Sequence, residues 1–157
     1  MTAVTYAFKQ QLAIGEAHER RLDEFFSRYD IDIRPATAEE QRMGIDRFFT
    51  HRPTGAVDAM EYKADDKAGQ TGNAFIETVS VDTTGKPGWA VASQAQFLVY
   101  LVVEPEAIYL VSMKRLRDAL PRWREAYREV PAQNDGYRTL GLLVPLHELE
   151  RIAVGVW

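Results

Sequence analysis

The stretch that decides the fold is residues 44–63, GIDRFFTHRPTGAVDAMEYK. Its first part, from Gly44 to His51, alternates side chains as a strand does, with Asp46 among the polar ones. The RPTG segment at 52–55 is typical of a turn, because proline restricts φ and glycine tolerates unusual backbone angles. The run from Val57 to Lys63 predicts a second strand. The whole stretch therefore predicts a β-hairpin.

The hairpin can bring two carboxylates and one ammonium together. Side chains alternate along a strand, so Glu61 and Lys63 share one face while Tyr62 points to the other. Asp46 can lie across from Glu61 or Lys63 near the open end of the hairpin. Hard oxygen ligands of this kind suit Mg²⁺ or Mn²⁺. From the residues alone an ordinary solvated strand face stays open as the alternative, with a cross-strand ion pair that contributes about 0.2–1 kcal/mol.

The remaining pattern predicts one α/β domain over residues 1–157, with a central sheet flanked by helices. Thr37 is expected to cap a short helical turn, because Glu40 lies three residues later. Pro121 predicts a kink or a break in a C-terminal helix. The other predicted elements are a helix over 5–29, a loop over 64–72, strands over 73–81, 97–103 and 107–111, helices over 89–96 and 113–129, an apolar stretch over 142–146 and a last helical turn over 147–152.

Composition restricts the classes of function. The chain has no cysteine, which excludes disulfides, thiolate metal sites and a cysteine nucleophile and suits a reducing cytoplasm. The net charge of −4 provides no overall attraction to nucleic acid, so any such contact must come from local patches. No signal peptide is expected at the N-terminus, and no apolar run has the length of a membrane span. We therefore expect a cytoplasmic protein with no membrane partner.

An ordered set of motifs carries a family resemblance. The set comprises Gly15-x-x-x-Glu19 on the first helix, Asp46, the triplet Glu61-Tyr62-Lys63, TGNAFIE at 71–77, and Gly88-Trp89 followed by SQAQFLVY at 93–100. This order resembles the PD-(D/E)xK nuclease superfamily, and the match runs from residue 15 to residue 103. The TGN-x-x-IE segment is similar to one phage and bacterial branch. The chain departs from that branch in carrying Ile45 in place of proline and Gln96 where aspartate is common.

The resemblance implies a three-layer, restriction-endonuclease-like fold with a central mixed β-sheet, and a Mg²⁺ or Mn²⁺ site. Its implied metal ligands are Asp46, Glu61 and the backbone carbonyl of Tyr62. Lys63 corresponds to the catalytic lysine. Glu19 would reach the metal through water or orient the site from the first helix. Glu16 takes that place if the phase of the helix differs.

Further polar residues are candidates for the site. Glu77 is a candidate metal ligand if its strand borders the hairpin, and the alternative is a charge partner for Lys63. Gln70, Thr71 and Asn73 are candidates for contacts to the nucleic-acid backbone, with ordinary turn chemistry as the alternative. The basic helix after Ser112 carries aromatic residues that could stack on bases, although the pattern favours a solvated face with those rings in the core.

The function expected from the sequence is therefore a divalent-metal-dependent nuclease that hydrolyses phosphodiester bonds, with DNA as the expected substrate. The alternative is a nuclease-like fold without activity that binds nucleic acid or a protein partner. A homodimer is an alternative to a monomer. The resemblance implies a bacterial origin, or a phage protein acting in the host cytoplasm.

Overall fold

A computed structural model describes residues 3–157, with side chains from Phe8 onward. None of its helices is both long and apolar enough to cross a bilayer. The described residues form the following elements: α1 Ala3–Phe26, β1 Ile31–Pro35, α2 Ala38–Arg42, β2 Arg47–His51, β3 Val57–Asp65, α3 Ala68–Thr71, β4 Asn73–Val81, β5 Lys86–Pro87, α4 Trp89–Ala92, β6 Phe97–Val102, β7 Ala107–Ser112, α5 Met113–Ala126, β8 Glu129–Gln133, β9 Arg138–Pro145, α6 Leu146–Ile152 and β10 Ala153–Val156.

The central sheet is mixed, as predicted. Its six strands lie in the order β1-β2-β3-β6-β7-β10, and β3 and β6 are its parallel pair. β2 and β3 form the predicted hairpin, with Arg47 opposite Met60 and Thr50 opposite Val57. Because parallel neighbours need a long crossover, the chain between β3 and β6 has room for further elements. The protein is therefore of the predicted α/β class.

Four strands form a second, antiparallel sheet in the order β5-β4-β9-β8. β4 has the predicted bounds, but it pairs with β9, with Phe75 opposite Leu143 and Glu77 opposite Gly141. It therefore does not border the hairpin in the central sheet. The sequence pattern did not predict this second sheet. Its prediction gave no element to residues 130–141, which hold most of β8 and half of β9, and it described 142–146 only as an apolar stretch.

The central sheet separates two apolar cores, and this separation positions the candidate site. The core on the α1 side contains Leu22, Phe25, Phe26, Phe49, Met60, Tyr62, Val99 and Leu101. The core on the other side contains Leu98, Tyr100, Val111, Ile76, Leu142, Leu116 and Trp123. Since side chains alternate along β3, Met60 and Tyr62 face α1, whereas Glu61 and Lys63 face the layer that holds the second sheet.

Several predicted boundaries were wrong. β2 begins at Arg47 and not at Gly44, because Gly44 has a φ of 76° and ends the turn after α2. The predicted loop over 64–72 contains the end of β3 and the short helix α3. β1 and β10 were not predicted at all. α5 continues through Pro121 as one helix, so the proline does not divide it. The Thr37 cap is confirmed, since Thr37 and Glu40 form a capping box.

Candidate active site

The Asp46 carboxylate lies over the backbone of β3. The hairpin pairing continues one step beyond β2, because the amide of Asp46 donates a hydrogen bond to the carbonyl of Met60 at 2.8 Å. The Asp46 Oδ2 atom in turn accepts a hydrogen bond from the amide of Tyr62 at 2.7 Å. Asp46 is therefore held beside the peptide that separates Glu61 from Lys63, as the parity of the strands predicted.

Glu61 is a buried carboxylate with two polar neighbours. Only 4% of the residue is exposed. Its Oε1 atom lies 3.0 Å from Nζ of Lys63, and its Oε2 atom lies 3.1 Å from the Ser93 hydroxyl. That hydroxyl is also 2.6 Å from the carbonyl of Gly44, and its single proton can serve one acceptor at a time. Burial raises the pKa of Glu61 above its ordinary value and Asp46 adds to the rise, while Lys63 and Ser93 oppose it.

Lys63 carries its charge to the surface of the site. Its side chain is 37% exposed, in contrast to that of Glu61. Burial by itself would lower the pKa of Lys63, but Glu61, Asp46 and Glu77 outweigh it and the pKa is raised. Lys63 is therefore a cation at neutral pH, available to an anion that enters from solvent.

Glu77 reaches this region from the second sheet. Its Oε1 atom accepts a hydrogen bond from the amide of Trp89 at 3.3 Å. Burial raises the pKa of Glu77, and the charge of Lys63 opposes the rise. Glu77 was expected to join the metal ligands only if its strand bordered the hairpin. β4 lies in the second sheet, so this condition is not met. Its position instead favours the alternative of a charge partner for Lys63.

Glu19 is tied to the hairpin by an arginine that the sequence reasoning missed. Arg47 Nη2 lies 3.5 Å from Glu19 Oε2, and Arg47 Nε donates to Asp23 Oδ1 at 3.0 Å. The Tyr62 hydroxyl also donates to Asp23, at 3.0 Å. Burial and the charge of Asp46 raise the pKa of Glu19, and Arg47 opposes them. The sequence carried one signal for such a basic partner, because Glu19 and Asp23 lie four residues apart on α1 and so share a face of the helix.

The phase of α1 selects between the two glutamates that were considered. Gly15 and Glu19 line a cleft of about 340 Å³ together with Tyr62 and Lys63 of β3. Glu16 is exposed and does not line that cleft. Glu19 is therefore the member of the pair that faces the candidate site.

The three candidate substrate-binding residues lie around α3. Thr71 and Asn73 line a second cavity, which also contains Lys63 and Glu77. Gln70 is exposed and lies outside the lining of that cavity. The Thr71 hydroxyl accepts a hydrogen bond from the amide of Asn73 at 3.2 Å, which is the ordinary turn chemistry considered as the alternative.

The basic helix α5 serves the fold. Trp123 is fully buried in the core, and its Nε1 donates to Glu148 at 3.4 Å, so this ring cannot stack on a base. Arg122 lies 2.9 Å from Glu148, and Arg117 donates to the backbone carbonyls of Ala90 and Ser93. The expectation that the aromatic residues of this helix belong to the core is therefore confirmed for Trp123.

Within residues 3–157, no group of three or more Asp, Glu, His or Cys side chains is placed to hold a metal ion. What the structure brings together is a pair, Asp46 and Glu61, with Lys63 beside it. Glu19 and Glu77 approach this pair from α1 and from β4.

No family model, curated protein or solved structure matches the chain. The metal ligands and the nuclease family therefore stay predictions.

Proposed function

We propose that the protein is a divalent-metal-dependent nuclease that hydrolyses phosphodiester bonds in DNA. One observation carries the proposal. Asp46 is fixed by a 2.7 Å hydrogen bond to the amide of Tyr62, while the neighbouring Glu61 lies 3.0 Å from Lys63. Two carboxylates and a charged lysine thus lie together, and Lys63 also lines the cleft beside α1. Such a set of groups suits phosphodiester cleavage with Mg²⁺.

The donor set fits magnesium. Mg²⁺ is commonly held by one or two carboxylates, and water and substrate phosphate complete its coordination. Asp46 and Glu61 would hold it, with the backbone carbonyl of Tyr62 as a third donor. A set of two carboxylates suits such an open site better than a closed structural one. When bound, Mg²⁺ would supply Lewis-acid polarisation of a phosphoryl oxygen and activation of water.

The residues of the chain supply positioning and charge. Lys63 lies at the border of the cleft and keeps its proton, so its ammonium can bind a phosphoryl oxygen and stabilise the negative charge that develops there. Ser93 and Lys63 hold both oxygens of Glu61, which limits the motion of that carboxylate. Glu19, held by Arg47, would orient water from the α1 side.

The order of elements supports the finer proposal of a restriction-endonuclease-like fold. Glu19 lies on the opening helix α1, Asp46 directly precedes β2, and Glu61 and Lys63 lie on β3. The TGNAFIE segment then enters β4, and SQAQFLVY ends in β6, in the order of the motifs that carry the resemblance.

The test combines calorimetry with cleavage. Mn²⁺ binding is titrated, and single-stranded and duplex DNA are incubated with Mg²⁺ or Mn²⁺. Asp46→Asn should lose metal binding and cleavage, because it removes one ligand charge while keeping an oxygen for the amide of Tyr62. Lys63→Met should keep metal binding and lose about 100-fold or more of the cleavage rate. Asp58→Asn, on the same strand but three residues from Glu61, is the matched control and should keep both.

Two results would overturn the proposal. Wild-type protein that binds no divalent metal would remove its basis. DNA binding without cleavage, unchanged by Asp46→Asn, would favour the alternative of a nuclease-like fold that only binds. Circular dichroism of Asp58→Asn shows in either case whether a substitution on β3 alters folding by itself.

A further inference from the structure

A second cavity adjoins the candidate active site. Its volume is about 350 Å³, which lies within the range of small-ligand pockets. Lys63 lines both this cavity and the cleft beside α1. A group bound in the cavity would therefore be in reach of the same ammonium that faces the cleft. Ala64 and Asp66 also line both cavities, so the two lie in the same region of the surface.

The walls of the cavity are mainly aromatic and apolar, and the carboxylates of Asp65, Asp66 and Glu77 also line it. Phe75 and Leu143, both half-buried, face it from paired positions of β4 and β9, and Trp89 and Tyr100 line its interior. Phe75 lies where it does because residue 141 is glycine. A Cβ atom at Gly141 would lie 2.5 Å from the tip of the Phe75 ring. The second sheet thus turns one face to its core and the other to this cavity.

Polar groups surround the entrance. The side-chain amide of Asn73 makes no hydrogen bond within residues 8–157, so its donor and its acceptor are available. Lys67 is exposed and makes no ion pair with those residues. An amide that can donate and accept, above an aromatic wall, matches the edge and the face of a flat heterocycle.

We infer that this cavity binds one unpaired nucleobase of single-stranded DNA, next to the phosphate that Lys63 contacts. The inference rests on the proposed function, because it takes the strand to lie across Lys63. The base would stack on Phe75, and its polar edge would meet Asn73. A base within a continuous duplex cannot enter without leaving its stack, which is unfavourable. The substrate class of this site is therefore single-stranded DNA or an unpaired end.

Binding is measured separately from cleavage. Fluorescence anisotropy with a labelled single-stranded oligonucleotide is recorded in EDTA, which prevents hydrolysis. Phe75→Ala should weaken binding by about fivefold or more, the usual effect of removing one base–aromatic stack. Gly141→Ala should also weaken it, because the new methyl group displaces the Phe75 ring. Phe48→Ala is the matched control. Phe48 lies on β2, packs beneath Arg34 of β1 and is outside the cavity lining.

A substrate variant makes the result independent of protein folding. Oligonucleotides with a single abasic nucleotide at successive positions are titrated against the wild type. One position should lose about fivefold or more in affinity, and the duplex should bind about tenfold or more weakly than the single strand. A flat abasic scan overturns the inference, as does equal binding of single strand and duplex.

The same measurements separate this inference from the proposed function. If duplex DNA is cleaved at the single-strand rate, and Phe75→Ala binds DNA as tightly as Phe48→Ala, the proposed nuclease function stands and the base pocket is refuted. Single-strand binding that depends on Phe75, in a protein without Mn²⁺ binding or cleavage, would retain the pocket and remove the nuclease. A wild type that binds neither DNA form removes the pocket.

Discussion

Arg47 joins the first helix to the hairpin, and replacing it with methionine shows how strongly that connection is held. Its side chain is 11% exposed. It donates to both oxygens of Asp23 at 3.0–3.2 Å, to the carbonyl of Asp46 at 2.9 Å, and its Cζ lies 5.3 Å from the centre of the Tyr62 ring. Arg47→Met keeps the aliphatic stem and removes all of these donors.

The size of the effect follows from burial. Removing one partner of a fully buried ion pair costs about 3–5 kcal/mol, and an exposed pair contributes about 0–1 kcal/mol. Arg47 is buried, but Asp23 and Glu19 are 32% and 39% exposed, so water screens part of the lost interaction. We therefore expect Arg47→Met to lose about 2–3 kcal/mol of the free energy of unfolding, or roughly 5–10 °C in Tm.

Urea unfolding at pH 7, followed by circular dichroism, measures the loss. Arg52→Met is the matched control. Arg52 also bonds to two aspartates, but it is 54% exposed and its partners are more exposed still, so little should be lost. Equal losses in the two variants would refute the argument from burial. A double-mutant cycle with Asp23→Asn should then assign most of the Arg47 effect to this one pair.

Three further predictions concern the site and its support. Ser93→Ala should lose about 1–2 kcal/mol in urea unfolding, because the buried hydroxyl that serves the Gly44 carbonyl and Glu61 is removed. Trp123→Ala should lose about 3–5 kcal/mol in the same assay, since the ring is fully buried, and a small loss would contradict a core position. A hydrogen bond from Arg122, with a smaller contribution from Trp123, lowers the pKa of Glu148 from 4.5 to about 2. A carboxyl whose pKa is lowered in the folded state stabilises the fold above its ordinary pKa. The difference in unfolding free energy between wild type and Glu148→Gln should therefore stay constant above pH 5 and shrink from pH 4.5 towards pH 2.

The hairpin and its convergent residues could be read from the sequence because they depend on close neighbours. Two strands joined by a short turn have few registers, and alternation then determines which side chains share a face. Asp46 beside Glu61 and Lys63 follows from those two facts. The Thr37 capping box likewise depends on residues only three positions apart.

The second sheet could not be predicted in this way. β4 was recognised as a strand with its observed bounds, but its partner β9 lies more than sixty residues further along the chain, as the pairing of Phe75 with Leu143 shows. Alternation indicates which face of a strand is apolar and does not specify the strand beside it. β8 contains a proline and β10 has four residues including a glycine, so neither carries the usual strand pattern.

Local pattern along the chain was thus sufficient for the α/β class, the hairpin and the pairing of two carboxylates with a lysine, since these depend on alternation and turn chemistry over about twenty residues. The placement of Glu77 near Lys63, the link from Arg47 to Asp23 and Glu19, and the aromatic cavity behind Lys63 became visible only in three dimensions. Each of them joins residues that are distant in sequence, and such contacts are selected by how whole layers pack and not by the periodicity of any one segment.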